Sequence, residues 1–481
     1  MFYTDTRDSS VQISFRQAVL DGMSTQTGGL YIPVSYPGLP KPFLNKIPEP
    51  SFRDIAFEIA RLYAGREIPD GDLEAIIADA YPFFSPVVPL DTVTYSLELF
   101  HGPTCAFKDF GARFMARCMS WFNRDEKAPL HILVATSGDT GSAVGSAFHQ
   151  VPGLDVTILY PAGKISPLQE KQLSTFDGNV CALKVNGTFD DCQRLVKTAF
   201  TDSDLRKRFR LSSANSINIS RLLPQSFYYM YASLVVRNRA WRDSKIENPA
   251  IIVSVPSGNF GNLTSGLIAR AMGAPIAGFI AATNANRTVP DWIATGEYAP
   301  RPSVQTLSNA MDVGAPSNFE RIHAMYDLDR ARALFAAYWL DDLGTLEAIK
   351  ACHTRTGYIL DPHGAVAWQA WSDIRNGAME HLVKALSNPD AAPRKADEKP
   401  ASGLMPNIPE WAGAVVKKQA VGIVLETAHP AKFGDTVKLA CGREPSLPDR
   451  LERVLHLPDR AVSMEADYNQ FKYWMRTNLQ A

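Results

Sequence analysis

Lys108 stands between two phenylalanines, in the run Ala106-Phe107-Lys108-Asp109-Phe110, where the sequence turns helical. A lysine partly buried beside the positive end of a helix loses solvation of its ammonium form. Its pKa falls, and the neutral amine required for Schiff-base chemistry becomes available. The same pentapeptide also fits a surface lysine whose stem covers its aromatic neighbours. Two glycine-rich loops follow short apolar runs. SGDTGS, Ser137 to Ser142, comes after HILVAT, and PSGNFGN, Pro256 to Asn262, after AIIVSV. Glycines there permit close backbone approach and the following helix starts offer unpaired N–H groups, which suits an anion. A capped tight turn is the plainer reading of either loop. Neither ends in Lys-Ser or Lys-Thr, and neither reads G-x-G-x-x-G, so a nucleotide is disfavoured. Combined, a desolvated amine and two anion loops are what pyridoxal phosphate needs. One loop takes the cofactor phosphate, the lysine takes the aldehyde carbon, and the other loop takes a substrate carboxylate.

These residues need elements to position them. From Thr94 onward, apolar runs of four to eight residues alternate with glycine turns and helical segments: HILVAT, DVTILYPA, VCALKVNG, AIIVSVPSG and IAGFIAATN. That alternation predicts buried parallel strands with helical crossovers, hence a doubly wound α/β fold with ligands at the carboxyl ends of its strands. Residues 1–92 read as a mixed N-terminal segment, helical from about Ser51 to Ala80 with Ser51 as N-cap. Residues 93–215 read as a smaller α/β domain with Lys108 and SGDTGS, and 216–481 as a larger cofactor-binding domain. Within the latter, 385–415 holds five prolines among polar residues and predicts an exposed insertion. The aromatic run SFYYMYASLVV has helical spacing and reads as core.

Composition removes other classes. The chain has 481 residues, room for two or three domains at roughly 150 each. With 49 Lys+Arg against 50 Asp+Glu there is no basic surplus for a phosphate backbone, which argues against a nucleic-acid partner. Six dispersed cysteines, a charged N-terminus and no apolar run near the roughly 18 residues of a membrane span predict a cytoplasmic protein with no membrane partner. Nine histidines show no metal-ligand spacing, so no metal is expected. His363 and His429, beside prolines at helix starts, read as local hydrogen-bonding residues.

LELFHGPTCAFKDFGARFM, ATSGDTGSAV, GKISPLQEKQ, SANSINISRLLPQ, VPSGNFGNLTSG, FIAATNAN, LSNAMDVGAPSN and TAHPAKF, in this order, resemble the threonine synthase family in its bacterial and fungal branch. The likeness runs from residue 11 to about 440. It implies a fold-type II pyridoxal-phosphate enzyme, similar to tryptophan synthase β: two doubly wound α/β domains plus the N-terminal segment. It also implies conversion of O-phospho-L-homoserine and water to L-threonine and phosphate. Lys108 would bond the cofactor and move protons. Gly258, Asn259, Phe260, Gly261 and Asn262 would hold the cofactor phosphate, and Thr427 the pyridine nitrogen. Ser137, Gly138, Asp139, Thr140, Gly141 and Ser142 would face the substrate carboxylate, with Asp139 also near the cofactor's phenolic oxygen. Asn215, Ser216 and Arg221, with Lys164, are candidates for the substrate phosphate, although Arg221 also fits a helix arginine pairing locally. Cys105 and Glu426 depart from the family pattern next to these residues. One rival activity uses the same motifs, a lyase that releases phosphate, ammonia and 2-oxobutyrate; a non-catalytic binder is the other alternative, which loss of the lysine would favour, whereas Lys108 is present. A monomer and a homodimer are both compatible with the sequence.

Overall fold

The computed structural model describes residues 1–46, 48–136, 138–386 and 402–480. Two sheets organise the chain. The larger has seven strands in the order Gly403–Leu404, Phe335–Trp339, Gly278–Thr283, Ala250–Pro256, Ala420–Glu426, Thr94–Glu98 and Val87–Pro89. Its central pairs are parallel and its two edge strands antiparallel. The smaller sheet, entirely parallel, runs Val462–Glu465, Val180–Asn186, Leu154–Pro161, Leu130–Ala135 and Arg210–Ser213. Leu130–Ala135, Gly278–Thr283 and Ala420–Glu426 are buried at every residue. Their apolar runs satisfy both faces of a sheet covered by helices.

The sheets depart from the contiguous ranges 93–215 and 216–481. Thr94–Glu98 pairs with Ala420–Glu426 in the larger sheet, and Val462–Glu465 closes an edge of the smaller one. Strand pairing across long sequence separations carries no local signature, so both crossings escape a linear reading. The helical stretch 51–80 is two helices, Phe52–Ala64 and Asp70–Ala80. Ser51 caps the first in a reciprocal capping box with Asp54. Gly65, at φ +62°, ends it, and Pro69 opens the next. Of the expected insertion 385–415, residues 387–401 lie outside the described residues. Beyond them the chain is not an exposed excursion: Met405 and Trp411 are buried, and Trp411 Nε1 donates to Leu334 O at 3.1 Å.

The helix Lys108–Asn123 runs between the two sheets' connections and buries Phe110, Phe114, Met115, Cys118 and Met119. Its start is fixed by Asp109, whose carboxylate accepts from Thr104 N at 2.9 Å and Thr104 Oγ1 at 2.8 Å. Across it lies the short helix Ile219–Leu222, which carries Arg221. The crossing is so close that a Cβ on Gly111 would stand 2.4 Å from Arg221 O. Backbone cannot yield as a side chain does. Gly111→Ala is therefore expected to destabilise the protein by about 1–3 kcal/mol, the usual range for overpacking. An unchanged unfolding midpoint in a denaturant titration would show that the two helices are not held this tightly.

Candidate active site

Expected site residues gather where strands of both sheets end. The Lys108 segment is tied to the Thr427 segment by backbone. Phe107 N donates to Thr427 O at 2.8 Å, His429 N donates to Cys105 O at 3.0 Å, and Ala106 bridges Ala428 in antiparallel fashion. Lys108 therefore begins its helix directly beside Thr427. Its Nζ lies 3.9 Å from Asp139 Oδ2 of the smaller domain. The other oxygen of Asp139 pairs with Lys432 Nζ at 2.7 Å and accepts from Gln169 Nε2 at 3.1 Å. Lys432, fully buried, also donates to Thr104 O at 3.1 Å.

The charges explain the chemistry of the amine. Burial pushes Lys108 down from 10.5 to about 8. Asp139 opposes that shift, while Lys432 and Arg221 add to it. Burial alone would raise Asp139, but Lys432 and Lys108 outweigh it and hold the carboxyl well below the usual range. Lys432 is a site residue that sequence reasoning misses. TAHPAKF contains it, yet nothing local says that its side chain turns inward to meet a carboxylate 293 positions away.

The loop after Ala250–Pro256 has the form of an anion cradle. Phe260 adopts a left-handed backbone, φ +59°, and no side chain caps the helix Gly261–Ala271 that follows, so its first amides stay open. A Cβ on Gly258 would come within 2.7 Å of Met311 Cα, so only glycine permits this packing. Asn262 Oδ1 accepts from Tyr228 OH at 2.6 Å and Tyr229 OH at 2.8 Å, which orients the amide. Its Nδ2 is buried without a partner among the described residues. An orphaned donor beside open helix amides fits a phosphate, and with the Lys108 amine and the Thr427 hydroxyl the donor set fits pyridoxal phosphate. The run SFYYMYASLVV is core as expected, but two of its tyrosines also serve this loop.

Other expected residues divide. Ser137 lies outside the described residues. Gly138 and Gly141 donate their N–H groups to Thr136 Oγ1 at 3.1 and 2.9 Å, which shapes the loop from within. Ser142 Oγ is spent on Asp139 O at 3.1 Å, whereas Thr140 is partly exposed at the helix start. Asn259 donates to Ser216 Oγ at 2.5 Å, joining the expected cofactor and substrate loops, and Asn215 lies partly exposed beside it. Arg221 donates to Ala214 O at 2.7 Å and leaves Nε unpartnered. Burial lowers it to about 10, with Asp109 opposing. Lys164 is exposed on the loop after Leu154–Pro161. Cys105 is buried, and its thiol is pushed up to about 11, chiefly by burial. His429 caps locally, accepting from Ala431 N at 3.2 Å. His363 also bonds locally, to Asp361 Oδ1 at 2.5 Å, and in addition accepts from Ala310 N, 53 positions away, at 3.2 Å.

Among the described residues no His, Cys, Asp and Glu group could hold a metal ion, and no helix is long and apolar enough to cross a membrane. A surface recess of about 750 Å³ is lined by Pro129, Leu154 and Val156 at the amino ends of the smaller sheet's strands. It touches none of the residues above. We place the site by its chemistry at the carboxyl ends, where α/β sheets bind ligands.

The chain matches known families, proteins and structures along nearly its whole length. Residues 2–81 match the profile "Threonine synthase N terminus", 81–381 "Pyridoxal-phosphate dependent enzyme", and 411–474 "Threonine synthase, C-terminal". Threonine synthase of Haemophilus influenzae is 38% identical over 465 residues, 96% of this chain and 97% of that protein. The crystal structure of threonine synthase from Escherichia coli superposes with a TM-score of 0.81 at 37% identity, covering 99% of this chain and 100% of the other. That of a pyridoxal-phosphate-bound threonine synthase from Brucella melitensis gives 0.84 at 32% identity, covering 100% of both chains.

The charge arrangement has a measurable sign. In cofactor-free protein, labelling of Lys108 by an amine-selective reagent should inflect near pH 8, because only the neutral amine reacts and its pKa is about 8. Asp139→Asn removes a stabilising anion and moves the inflection down. Lys432→Met removes a repelling cation, frees Asp139 for Lys108, and moves it up. An inflection near the ordinary 10.5, read by peptide mass spectrometry, would contradict the burial of the amine.

Proposed function

The chain belongs to the threonine synthase family of pyridoxal-phosphate-dependent enzymes, and on that premise we propose that its substrate is O-phospho-L-homoserine, converted with water to L-threonine and phosphate. The observation that carries this reading is the Lys108 amine, lowered to about 8, between the Thr427 segment and the Asp139 helix. Pyridoxal phosphate, when bound, delocalises the negative charge left at the substrate Cα. What remains is proton transfer, orientation and recognition, and these fall to the chain.

Lys108 is the residue placed to take the Cα proton and return protons along the substrate. Its neutral form is well populated near pH 8, which is what a general base working there requires. Thr427 offers a neutral hydroxyl to the pyridine nitrogen, so it does not fix a proton there as a carboxylate would. The open amides of 258–262 and Asn262 Nδ2 serve the cofactor phosphate. The loop at 138–142 faces the substrate carboxylate. Arg221, a buried guanidinium with a spare N–H, together with Asn215 and Ser216, suits the departing phosphate, because charge-assisted hydrogen bonds are strongest where water is excluded. Lys164, exposed at the loop edge, would join them only with substrate present.

Protein loaded with the cofactor and given O-phosphohomoserine should release threonine and phosphate in equal amounts. Lys108→Ala should abolish both. Arg221→Gln should raise KM about tenfold or more, the loss of one hydrogen bond to a charged group being worth about 1.5–3 kcal/mol. Phosphate accompanied by 2-oxobutyrate instead of threonine would assign the chain to the eliminating reaction, and no turnover at all would refute the reading.

A further inference from the structure

Behind the Thr427 segment two wholly buried acids meet, Glu426 and Asp361, the side chain of the first accepting from the backbone N–H of the second at 3.2 Å. Asp361 opens the helix Pro362–Asp373. Its Oδ1 accepts from His363 N at 2.7 Å and from His363 Nδ1 at 2.5 Å, and its Oδ2 accepts from Ala428 N at 3.3 Å. His363 Nε2 in turn accepts from Ala310 N at 3.2 Å, which fixes the ring as the neutral tautomer protonated at Nδ1. Ala310 and Met311 form the wall against which Gly258 packs. Asp361 thus grips two segments at once. One carries Thr427 and Ala428 at the pyridine-nitrogen end of the site, and the other backs the phosphate loop.

Glu426 has no such set of donors. Its Oε2 accepts only from Asp361 N, at 3.2 Å, and its Oε1 has no partner among the described residues. Oε1 lies against Gly364, where a Cβ would stand 1.5 Å away, so any larger residue there would expel the acid. Besides Asp361, the titratable groups that act on Glu426 are Cys352 and Tyr358, with Glu98 behind Tyr358, and none of these is a cation. Two buried acids this close do not both ionise when only one has cations near it, and the cationic groups here, Lys108 and His429, act on Asp361. Asp361 holds three N–H donors and Glu426 one, so the proton belongs to Glu426. An unpartnered oxygen is tolerable on a neutral acid and very costly on a carboxylate. In agreement, burial first and Asp361 second push the Glu426 carboxyl well above its ordinary value.

We propose that Glu426, as the un-ionised acid, donates its proton in a hydrogen bond to the Asp361 carboxylate, and that this pair, with Gly364 making room for it, positions both ends of the cofactor pocket. Neither residue touches reacting atoms; both are positioning residues. The inference rests on the cofactor lying between Thr427 and the 258–262 loop, as proposed above.

Titration of cofactor-free protein with pyridoxal phosphate, read as affinity and as the position of the bound absorbance band, tests it, with the unfolding temperature of the cofactor-free variants alongside. Glu426→Gln keeps an uncharged donor and should bind within about threefold of the natural protein, while Glu426→Ala and Asp361→Asn should lose about tenfold or more. Gly364→Ala should also lose affinity, and adding Glu426→Ala to it should restore part of the loss, because the clash is between those two residues. Glu426→Gln as damaging as Glu426→Ala would overturn the protonated acid. Asp361→Asn with lowered unfolding temperature but unchanged affinity and absorbance would reduce the pair to a fold element and overturn its positioning role. Lys108→Ala distinguishes the premise. If it binds the cofactor with the natural protein's spectrum, the site assignment fails and the pair's role with it, whereas the other outcomes bear on the pair alone.

Discussion

The carboxylate of Asp139 is shared by two lysines that reach it from the larger sheet's connections, Lys432 at 2.7 Å and Lys108 at 3.9 Å. A buried carboxylate needs a cation, and Lys432 fills that need with full contact. Lys108, at longer range, is stabilised less than it is penalised by burial and by the neighbouring positive charges. The asymmetry divides the labour. One lysine is a structural counter-ion in direct contact with the carboxylate, and the other is an amine that can lose its proton at ordinary pH. Because Asp139 starts a helix of the smaller domain while Lys432 follows a strand of the larger one, the same ion pair also joins the two halves that enclose the site.

Around that pair the backbone does most of the remaining placement. Antiparallel bridging of 105–107 to 427–429 puts Lys108 and Thr427 side by side without relying on either side chain. Asn259 spans to Ser216, and Arg321, fully buried, donates to Ile217 O at 2.5 Å and to Tyr31 O at 2.9 Å. The loop with Asn215 and Ser216 is thereby held between the 258–262 loop and the N-terminal segment. If it recognises the substrate phosphate, as proposed above, its being pinned on both sides leaves little reordering when the anion arrives, which favours tight and oriented binding.

Much of this is legible in the sequence because it is local. Alternating apolar runs and glycine turns locate most strands, the Ser51 cap locates a helix start, and Lys108 between phenylalanines signals an amine under desolvation. The family motifs then name the cofactor. What escapes is non-local. Lys432 and Asp361 become informative only once folding has brought 432 to 139 and 361 to 428. The strands 94–98 and 462–465 join sheets on the far side of the linear divisions, since hydrogen-bonded pairing is not encoded by neighbours in sequence. Trp411 turns a proline-rich stretch inward because one large apolar side chain outweighs several polar ones once it finds a groove.

Two buried lysines in one site make the central claim directly testable. Cofactor-loaded protein treated with borohydride fixes the cofactor permanently to whichever amine holds it, and peptide mass spectrometry then reads the position. Modification on Lys108 alone, with Lys432 unmodified, is the predicted result. Modification on Lys432 would contradict the account, because the counter-ion of Asp139 and the reactive amine would then have exchanged places.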